Sequence, residues 1–400
     1  MGELAQEEEL NKAIGISDLA LNTAIQWRER LHQHPELGFA EHQTAADVAE
    51  NLQSLGWRVT TGLAGTGVLA VLPATEPGPR LLLRAELDAL PIQEETGVSF
   101  ASVIPGVSHA CGHDAHMAIL LGVAAALAER EQPHGELGLL FQPAEELQGG
   151  GKRLVEEGLW ARFDADCCLA LHGWPALPAG VFGLVPGPCL AAIDSCRIRV
   201  MGRPGHGAAP HETIDPIVVA AELILALQTI ISRNLNPLAP AVLTFGRING
   251  GKAENAVAAE VSLTGTMRYF DPAVGAMLAD MIEKRGAGIA AAHGARIEAS
   301  IEPGYPATVN HAGVIHWLEE VVQAEFGPDG SQAMQPVMVS EDFSYYLRER
   351  PGAMIFLGTG GSYPLHHPRY LMPDNLLDRG IRLWLAVISA VTRAATLPWR

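Results

Sequence analysis

Eight consecutive residues, His109-Ala-Cys-Gly-His-Asp-Ala-His116, hold the densest set of reactive side chains in the chain. Imidazole and thiol groups can bind a metal ion or transfer a proton. The preceding residues 79–88 are predicted as a buried strand ending with Glu86 and Asp88, and residues 118–128 as an apolar helix. Polar groups between a strand end and a helix are typical of sites in open α/β sheets. We therefore predict that this segment forms one wall of a metal site.

Two further predicted strands end at similar side chains. Residues 135–141 lead directly into Gln142-Pro-Ala-Glu-Glu146, and residues 166–171 end at His172. The carboxyl ends of parallel strands meet at one edge of a sheet, so groups that are distant in sequence converge there. The fold class expected is α/β, a mixed, mostly parallel sheet flanked by helices.

Cys111 and His113 are separated only by Gly112, so both can face one ion from a loop. Thiolate and imidazole ligands suit zinc, cobalt, nickel or manganese. The alternative is a buried structural cysteine beside a helix-capping histidine. Glu145 and Glu146 suit a metal hydrolase, in which one carboxylate holds the ion and the other transfers a proton. Without that context, two adjacent glutamates are usually a solvated surface pair.

His172 and His366 follow apolar segments, and a lone histidine in such a place is commonly a satisfied core or loop residue. Asp88 alone is compatible with a helix N-cap, and Glu86 with a surface position. Taken together, these alternatives would leave several polar groups at one sheet edge without a purpose. A shared metal site accounts for all of them.

The length of 400 residues, with 48% hydrophobic content, predicts two domains. After a segment rich in Gly and Pro, residues 191–306 follow a β-α-β-β-α-β pattern, which is that of a small α+β, ferredoxin-like domain. We assign residues 1–190 and 307–400 to a discontinuous metal-binding catalytic domain. Long apolar stretches at 216–231 and 273–291 indicate that some surface of the insert is buried between subunits.

The charge balance excludes several partners. There are 27 basic and 45 acidic residues, and the formal charge of -18 repels nucleic acid and anionic membranes. The five cysteines are an odd number in a long chain, which favours a reducing, cytoplasmic location over a disulfide framework. Residues 1–10 are acidic, unlike a secretory leader, and no apolar run reaches the roughly 20 residues of a membrane span. We expect a soluble protein.

Six ordered motifs resemble those of the dinuclear metallopeptidase and aminoacylase family. They are Leu83-Arg-Ala-Glu-Leu-Asp-Ala-Leu-Pro91, His109-Ala-Cys-Gly-His-Asp114, Phe141-Gln-Pro-Ala-Glu-Glu146, Leu171-His172, Gly205-His-Gly-Ala-Ala-Pro-His211 and Glu341-Asp-Phe343. The resemblance runs from about Trp27 to the last helix. It is greatest to hippurate hydrolases, indole-acetyl-amino-acid hydrolases and N-acyl-amino-acid amidohydrolases.

The resemblance implies two divalent ions per subunit, Zn²⁺ or Mn²⁺, with Co²⁺ or Ni²⁺ also compatible. The implied metal ligands are Cys111, which bridges the ions, His113, Glu146, His172 and His366. His367 stands beside His366, but His366 matches the family histidine two residues before a proline.

The resemblance also implies roles for residues beyond the ligands. Glu145 matches the general base, and Asp88 the carboxylate that orients a ligand. His206 would lie on a lid and dimerisation domain, reach the active site of the partner subunit in a homodimer, and steady the oxyanion. Asn255 and Arg268 would help to hold the substrate carboxylate.

The function implied is hydrolysis of the amide of N-acyl or N-aroyl amino acids by a metal-activated water, with Glu145 as general base. Alternatives are a dipeptidase, a carboxypeptidase or an N-acetyl-diaminopimelate-type deacetylase with the same site, and a non-catalytic binder of amino-acid conjugates. One departure concerns metal affinity. Where the subgroup has Asp-x-Asp-Ala-Leu, this chain has Glu86-Leu-Asp88, one methylene longer at the first carboxylate.

Overall fold

The computed structural model describes residues 16–74, 76–130, 134–393, 397 and 399. The acidic segment at residues 1–10 lies outside these residues. The helices are α1 Asp18–Gln33, α2 His42–Ser54, α3 His113–Ala128, α4 Glu145–Gln148, α5 Gly150–Glu156, α6 Leu159–Arg162, α7 Pro216–Thr229, α8 Pro272–His293, α9 Ala312–Phe326, α10 Ser344–Leu347 and α11 Leu377–Arg393.

The strands follow the same chain order. They are β1 Arg58–Leu63, β2 Gly67–Leu72, β3 Leu81–Glu86, β4 Leu137–Gln142, β5 Cys167–Trp174, β6 Phe182–Leu184, β7 Gly187–Leu190, β8 Ala192–Met201, β9 Gly205–His206, β10 Ala241–Gly250, β11 Ala256–Val257, β12 Glu260–Tyr269, β13 Arg296–Pro303, β14 Thr308–Asn310, β15 Ser331–Ala333 and β16 Gly352–Gly358.

Contacts divide the chain into two units. The first contains the described residues up to Gly187, with Val309–Gln335 and the residues from Asp342 onward, and the second contains Pro188–Thr308 and Pro336–Glu341. The sequence pattern placed all of 307–400 in the first domain. Strand pairing explains why Pro336–Glu341 joins the second unit, since the Ala191 N–H donates to the carbonyls of Val337 and Val339 at 3.2 and 2.9 Å.

The first unit is built on a mixed eight-stranded sheet in the order β1-β2-β4-β3-β5-β16-β6-β15. Its central strands β4, β3, β5 and β16 run parallel. Outside them, β2 and β6 pair antiparallel with this group, and β15 pairs parallel with β6. The central strands are buried almost throughout, as expected for a sheet covered by helices on both faces. The predicted α/β fold is confirmed, and the carboxyl ends of the four parallel strands share one edge.

Helix α3 packs against β3 on one side and against α1 and α11 on the others. All but one of its residues are buried. It begins at His113, five positions before the predicted start at 118, so the start predicted from apolar residues alone was wrong. Gly112 precedes it with φ of 90°, and a Cβ there would lie 3.3 Å from the Tyr370 ring, so glycine suits this position on both counts.

The second unit contains a four-stranded antiparallel sheet in the order β10-β12-β8-β13. Its elements follow β8-α7-β10-β12-α8-β13, which is the ferredoxin-like arrangement. The two long helices supply Val219, Leu223 and Leu227 from α7, and Leu278 and Ile282 from α8, to one apolar core with the sheet.

Within the described residues one helical stretch, Pro216–Asn234, is long and apolar enough to cross a membrane by length and composition. The sequence expectation was that no apolar run reaches the roughly 20 residues of a span, and this stretch of 19 residues comes just short of that number. Core helices meet the same criterion, and Val219, Leu223 and Leu227 of this stretch are buried in the second unit.

The packing of α3 gives a stability prediction. A Cβ on Gly122 would lie 2.4 Å from Ile381 Cδ1 and 3.0 Å from Ala24 Cβ, whereas one on Gly288, in α8, would meet nothing within 4 Å. Overpacking a core costs about 1–3 kcal/mol, while Gly→Ala in an open helix position gains about 0.5–1 kcal/mol. Gly122→Ala should lower the melting temperature and Gly288→Ala should keep or raise it, as measured by circular dichroism. Equal shifts of the same sign would contradict the packing described for α3.

Candidate metal centre

The five predicted metal ligands lie together at the carboxyl edge of the parallel strands. Cys111 Sγ is 3.5 Å from His172 Nε2, and His366 Nε2 is 3.0 Å from Glu146 Oε1. Three groups that contain predicted metal ligands have ligand atoms within 4.8 Å of one another: Cys111, Glu146 and His366; His113, Glu145 and Glu146; and Glu86, His113, His116 and His172. The first two groups share Glu146 and the last two share His113, so the three groups adjoin one another.

Hydrogen bonds define which nitrogen of two histidines faces the cluster. His113 Nδ1 is 2.8 Å from the Asp88 carbonyl, and His172 Nδ1 is 2.8 Å from the Gly173 carbonyl. A carbonyl only accepts, so each Nδ1 carries a hydrogen and donates. The Nε2 atoms are the ones left to bind an ion once they are unprotonated, and that of His113 is buried without a hydrogen-bond partner among the described residues. This donor set fits a divalent metal ion.

The electrostatics of Cys111 also fit a cation. Burial, followed by the charges of Glu146 and Glu145, raises the pKa of the Cys111 thiol well above its usual value. Metal binding needs the thiolate, and a nearby dication reverses this shift by stabilising the negative form. A dication beside the thiol and the two carboxylates would offset the repulsion between their negative charges.

The chain approaches two of these groups through strained backbone. Ala144, just before Glu145, has φ of 50°, and His366 has φ of 64°, a left-handed conformation that costs a non-glycine residue energy. Both are held by hydrogen bonds, since the Ala144 N–H donates to Glu41 Oε1 at 2.8 Å and the His366 N–H to the Ala110 carbonyl at 2.9 Å. Such strain persists only where surrounding structure enforces it.

Asp88 is fully buried and lies between two of the predicted ligands. Its Oδ2 accepts the Glu146 N–H at 2.9 Å, and its Oδ1 is 3.4 Å from His113 Nδ1. One carboxylate thereby contacts the segments that carry Glu146 and His113. Of the two adjacent histidines His366 and His367, His366 lies in the cluster. His367 instead stacks on Tyr363, with ring centroids 4.5 Å apart.

Two buried charge networks behind the centre were missed in the sequence. In the first, Arg84 Nε donates to Gln142 Oε1 and Arg84 Nη2 to Asp342 Oδ1, both at 2.9 Å. Asp342 Oδ2 also accepts the Gly151 N–H at 2.7 Å. A charged residue inside the apolar run Leu81-Leu-Leu-Arg-Ala85 was the available signal, because a buried arginine requires partners.

The second network surrounds Asp114, next to His113. Asp114 Oδ2 accepts from Arg28 Nε at 2.9 Å and lies 2.8 Å from His32 Nδ1, while His32 Nε2 is 3.1 Å from Glu94 Oε1. Burial lowers the His32 pKa, but Asp114 and Glu94 outweigh it and raise the pKa to about 9. The signal was the placement of Arg28 and His32 on the same helix face as Ala24, which is buried.

The second unit contains the remaining predicted residues. His206 pairs with Ala256, and the Gly207 N–H donates to the Asn255 carbonyl at 2.9 Å, so His206 and Asn255 lie close together. The exposed His206 ring accepts the Ala208 N–H at Nδ1, at 3.0 Å, which leaves Nε2–H as a hydrogen-bond donor. Arg268 lies on β12, where its Nη1 donates to the Met338 carbonyl and Ser340 Oγ at 2.8 and 2.9 Å.

Comparison with known proteins identifies the family. The model of peptidase family M20/M25/M40 matches residues 82–390. The chain belongs to this family. The N-acyl-L-amino acid amidohydrolase of Geobacillus stearothermophilus is 41% identical over 76% of this chain and 82% of its own length. The thermostable carboxypeptidase 1 of Saccharolobus solfataricus is 36% identical over 89% of this chain and 92% of its own.

A solved structure of the same family has a very similar fold. It is that of a Bacillus subtilis protein described as a dinuclear metal-binding peptidase of family M20, which is 30% identical, with a TM-score of 0.83 and coverage of 94% of this chain and 100% of its own. The predicted family resemblance is confirmed. Together with the relatives named above, it establishes this family member as a metal-dependent hydrolase of amide bonds that uses divalent ions.

The charges at the centre predict that metal binding releases protons. Burial lowers the His113 pKa, but Glu86 and Asp88 outweigh it and raise the pKa to about 10, and the Cys111 pKa is also raised. Both groups therefore hold protons at pH 7 until an ion displaces them. The metal affinity should fall as the pH falls, by about tenfold per pH unit for each proton released.

Calorimetry of Zn²⁺ binding in buffers of different ionisation enthalpy measures this release directly. His172 provides a matched control, since burial and then the neighbouring His116 lower its pKa to about 3, so its ring is neutral at pH 7 and its Nε2 has no proton to release. Cys111→Ser should reduce the number of protons released, whereas His172→Ala should weaken binding without changing that number. Heats independent of the buffer would contradict the prediction.

Proposed function

We propose that the chain hydrolyses N-acyl and N-aroyl amino acids to a carboxylic acid and a free amino acid. The observation that carries the proposal is the adjacent pair Glu145 and Glu146 beside the buried thiol and imidazoles of the centre. One carboxylate of the pair can hold an ion while the other transfers a proton. The relative named N-acyl-L-amino acid amidohydrolase, 41% identical, supports the substrate class.

Cys111, His113, Glu146, His172 and His366 would hold two divalent ions, of which Zn²⁺ and Mn²⁺ suit this ligand set best and Co²⁺ and Ni²⁺ are compatible. When bound, such ions lower the pKa of water and polarise the amide carbonyl. Asp88 keeps Glu146 and His113 in place through the contacts described above.

Glu145 takes a proton from the attacking water as the oxygen of that water forms a bond to the acyl carbon. It then delivers that proton to the amide nitrogen as the C–N bond breaks, and the products are the acid and the free amine. The Nε2–H of His206 donates to the developing oxyanion, and Asn255 and Arg268 hold the carboxylate of the substrate. Both substrate-binding roles follow from the family resemblance.

The carboxypeptidase among the relatives favours a second candidate, removal of a C-terminal residue from a peptide by the same site. A dipeptidase or an N-acetyl-diaminopimelate-type deacetylase would use the same chemistry. A non-catalytic binder would have no use for Glu145 beside the ligand set. The five free cysteines, all buried, are compatible with a reducing compartment, and we infer a cytoplasmic enzyme.

The substrate class is tested with protein that has been stripped of metal and reloaded with Zn²⁺, Mn²⁺ or Co²⁺. The panel contains N-acetyl, N-benzoyl, indole-acetyl and long-chain N-acyl amino acids together with dipeptides, and free amino acid is measured. We expect metal-dependent release from the N-acyl compounds. Turnover of dipeptides alone would move the assignment to a peptidase.

Glu145→Gln should keep the size and polarity of the side chain but remove its ability to accept a proton. The expected result is a fall in kcat of about a hundred- to ten-thousand-fold with two ions still bound, because proton transfer by a positioned group contributes that much. Metal content is measured by mass spectrometry on the same sample. Glu156→Gln, on the exposed end of α5, is the matched control and should keep full activity. Full activity in Glu145→Gln would remove the general-base role.

We further propose that His206 acts in the active site of the partner subunit of a homodimer. A Glu145→Gln homodimer lacks the general base at both sites, and a His206→Ala homodimer lacks the histidine at both sites. A mixed dimer would contain one site with both residues intact. Refolding or exchanging an equal mixture should restore about a quarter of wild-type activity, since half of random dimers are mixed and each has one complete site. Light scattering establishes the oligomeric state. No recovery from a demonstrated mixed dimer would show that His206 does not act across the interface.

A further inference from the structure

Glu86, the residue that departs from the subgroup pattern, is fully buried between two cationic or polar partners. Its Oε1 accepts from Arg84 Nη1, and its Oε2 lies 2.9 Å from His116 Nδ1. His116 is part of the opening motif but matches none of the implied ligands. The two residues form a buried contact that the proposed mechanism does not use.

The contact continues from His116 to the peptide backbone of strand β5. The Gly173 N–H donates to His116 Nε2 at 3.0 Å. Nε2 must therefore present its lone pair to Gly173, and Nδ1 carries the hydrogen that is donated to Glu86. Although His116 lies in a group with Glu86, His113 and His172, both of its nitrogens are already engaged.

Gly173 links this contact to a metal ligand. Its carbonyl accepts from His172 Nδ1 at 2.8 Å, and the rings of His116 and His172 pack edge to face with centroids 4.7 Å apart. A Cβ on residue 173 would lie 2.9 Å from the Tyr370 hydroxyl and 3.3 Å from Met372 Sδ. These contacts leave no room for a side chain at residue 173, and the two hydrogen bonds of Gly173 link its backbone to His116 and His172.

We propose that Glu86 and His116 are positioning residues for His172, acting through Gly173 to orient the Nε2 atom that holds one of the two ions. The inference rests on the ligand role of His172 in the proposed function. Mutation of the hydrogen-bond partners behind metal ligands typically lowers metal affinity by about 10- to 100-fold. The length of Glu86 has a role in this scheme, because an aspartate would withdraw its carboxylate from His116 by about 1.5 Å, one C–C bond.

The proposal is tested by metal affinity. His116→Phe keeps a ring of similar size and removes both hydrogen bonds, while His116→Gln retains an acceptor near the position of Nε2. Glu86→Asp shortens the carboxylate. Metal-free proteins are titrated with Co²⁺ against a chelator of known affinity, and the visible spectrum of the bound Co²⁺ reports its ligands. Circular dichroism checks that each variant is folded.

His109 provides the matched control. It is buried in the same motif, and neither ring nitrogen has a hydrogen-bond partner among the described residues. We expect His116→Phe and Glu86→Asp to lower the affinity for one of the two ions by about 10- to 100-fold, and His116→Gln to lower it less. His109→Phe should leave both affinities unchanged. If His116→Phe does not fold, the comparison of His116→Gln and Glu86→Asp with wild type decides the question.

Three outcomes would overturn the inference. The first applies when the wild type binds two ions and hydrolyses amides, and it is that His116→Phe binds both ions as tightly as this wild type. Another is that His109→Phe weakens binding as much as His116→Phe, which would indicate general packing. The third is a Co²⁺ spectrum with one imidazole fewer in His116→Phe but with His172 still bound, which would make His116 itself a ligand. Failure of the proposed function is distinct, because the wild type itself would then bind no ions or release no amino acid.

Discussion

Buried negative charge at one sheet edge is the constraint on which this structure depends. Strand β3 ends at Glu86, with Asp88 two residues later, and Glu145 and Glu146 follow β4. The Cys111 thiol lies beside these carboxylates. Unpaired charges are strongly unfavourable in an apolar interior, so each group needs a cation or hydrogen bonds. Arg84 supplies positive charge to Glu86 and Asp342. For Cys111 and the two glutamates, the divalent ions of the proposed function would supply it.

The ligands are oriented largely by the main chain. Two carbonyls, those of Asp88 and Gly173, define the tautomers of His113 and His172. Ala144, just before Glu145, and His366 both have left-handed backbone. This conformation directs the side chains of Glu145 and His366. Under the proposed function, ligands held by backbone groups at the ends of paired strands would keep their geometry when an ion or a substrate exchanges.

The sequence predicted the strands better than the start of the central helix. Apolar runs mark β3, β4 and β5 clearly, because strands covered on both faces are continuously hydrophobic. Helix α3 was predicted to begin at 118, since Asp114 and His116 look like loop residues. They are helical and buried because Arg28, His32 and Glu86 pair with them from distant parts of the chain. Residue type alone does not reveal such partners.

By itself the sequence determined the fold class, the reaction class and the candidate ligands, because strand periodicity and the ordered motifs are local properties of the chain. Only the tertiary structure decided which nitrogen of each histidine faces the centre, that Pro336–Glu341 joins the second unit, and that Glu86 reaches His172 through His116 and Gly173. These features arise from hydrogen bonds and packing between segments far apart in sequence. Their geometry exists only once the strands are paired and the helices are packed on them.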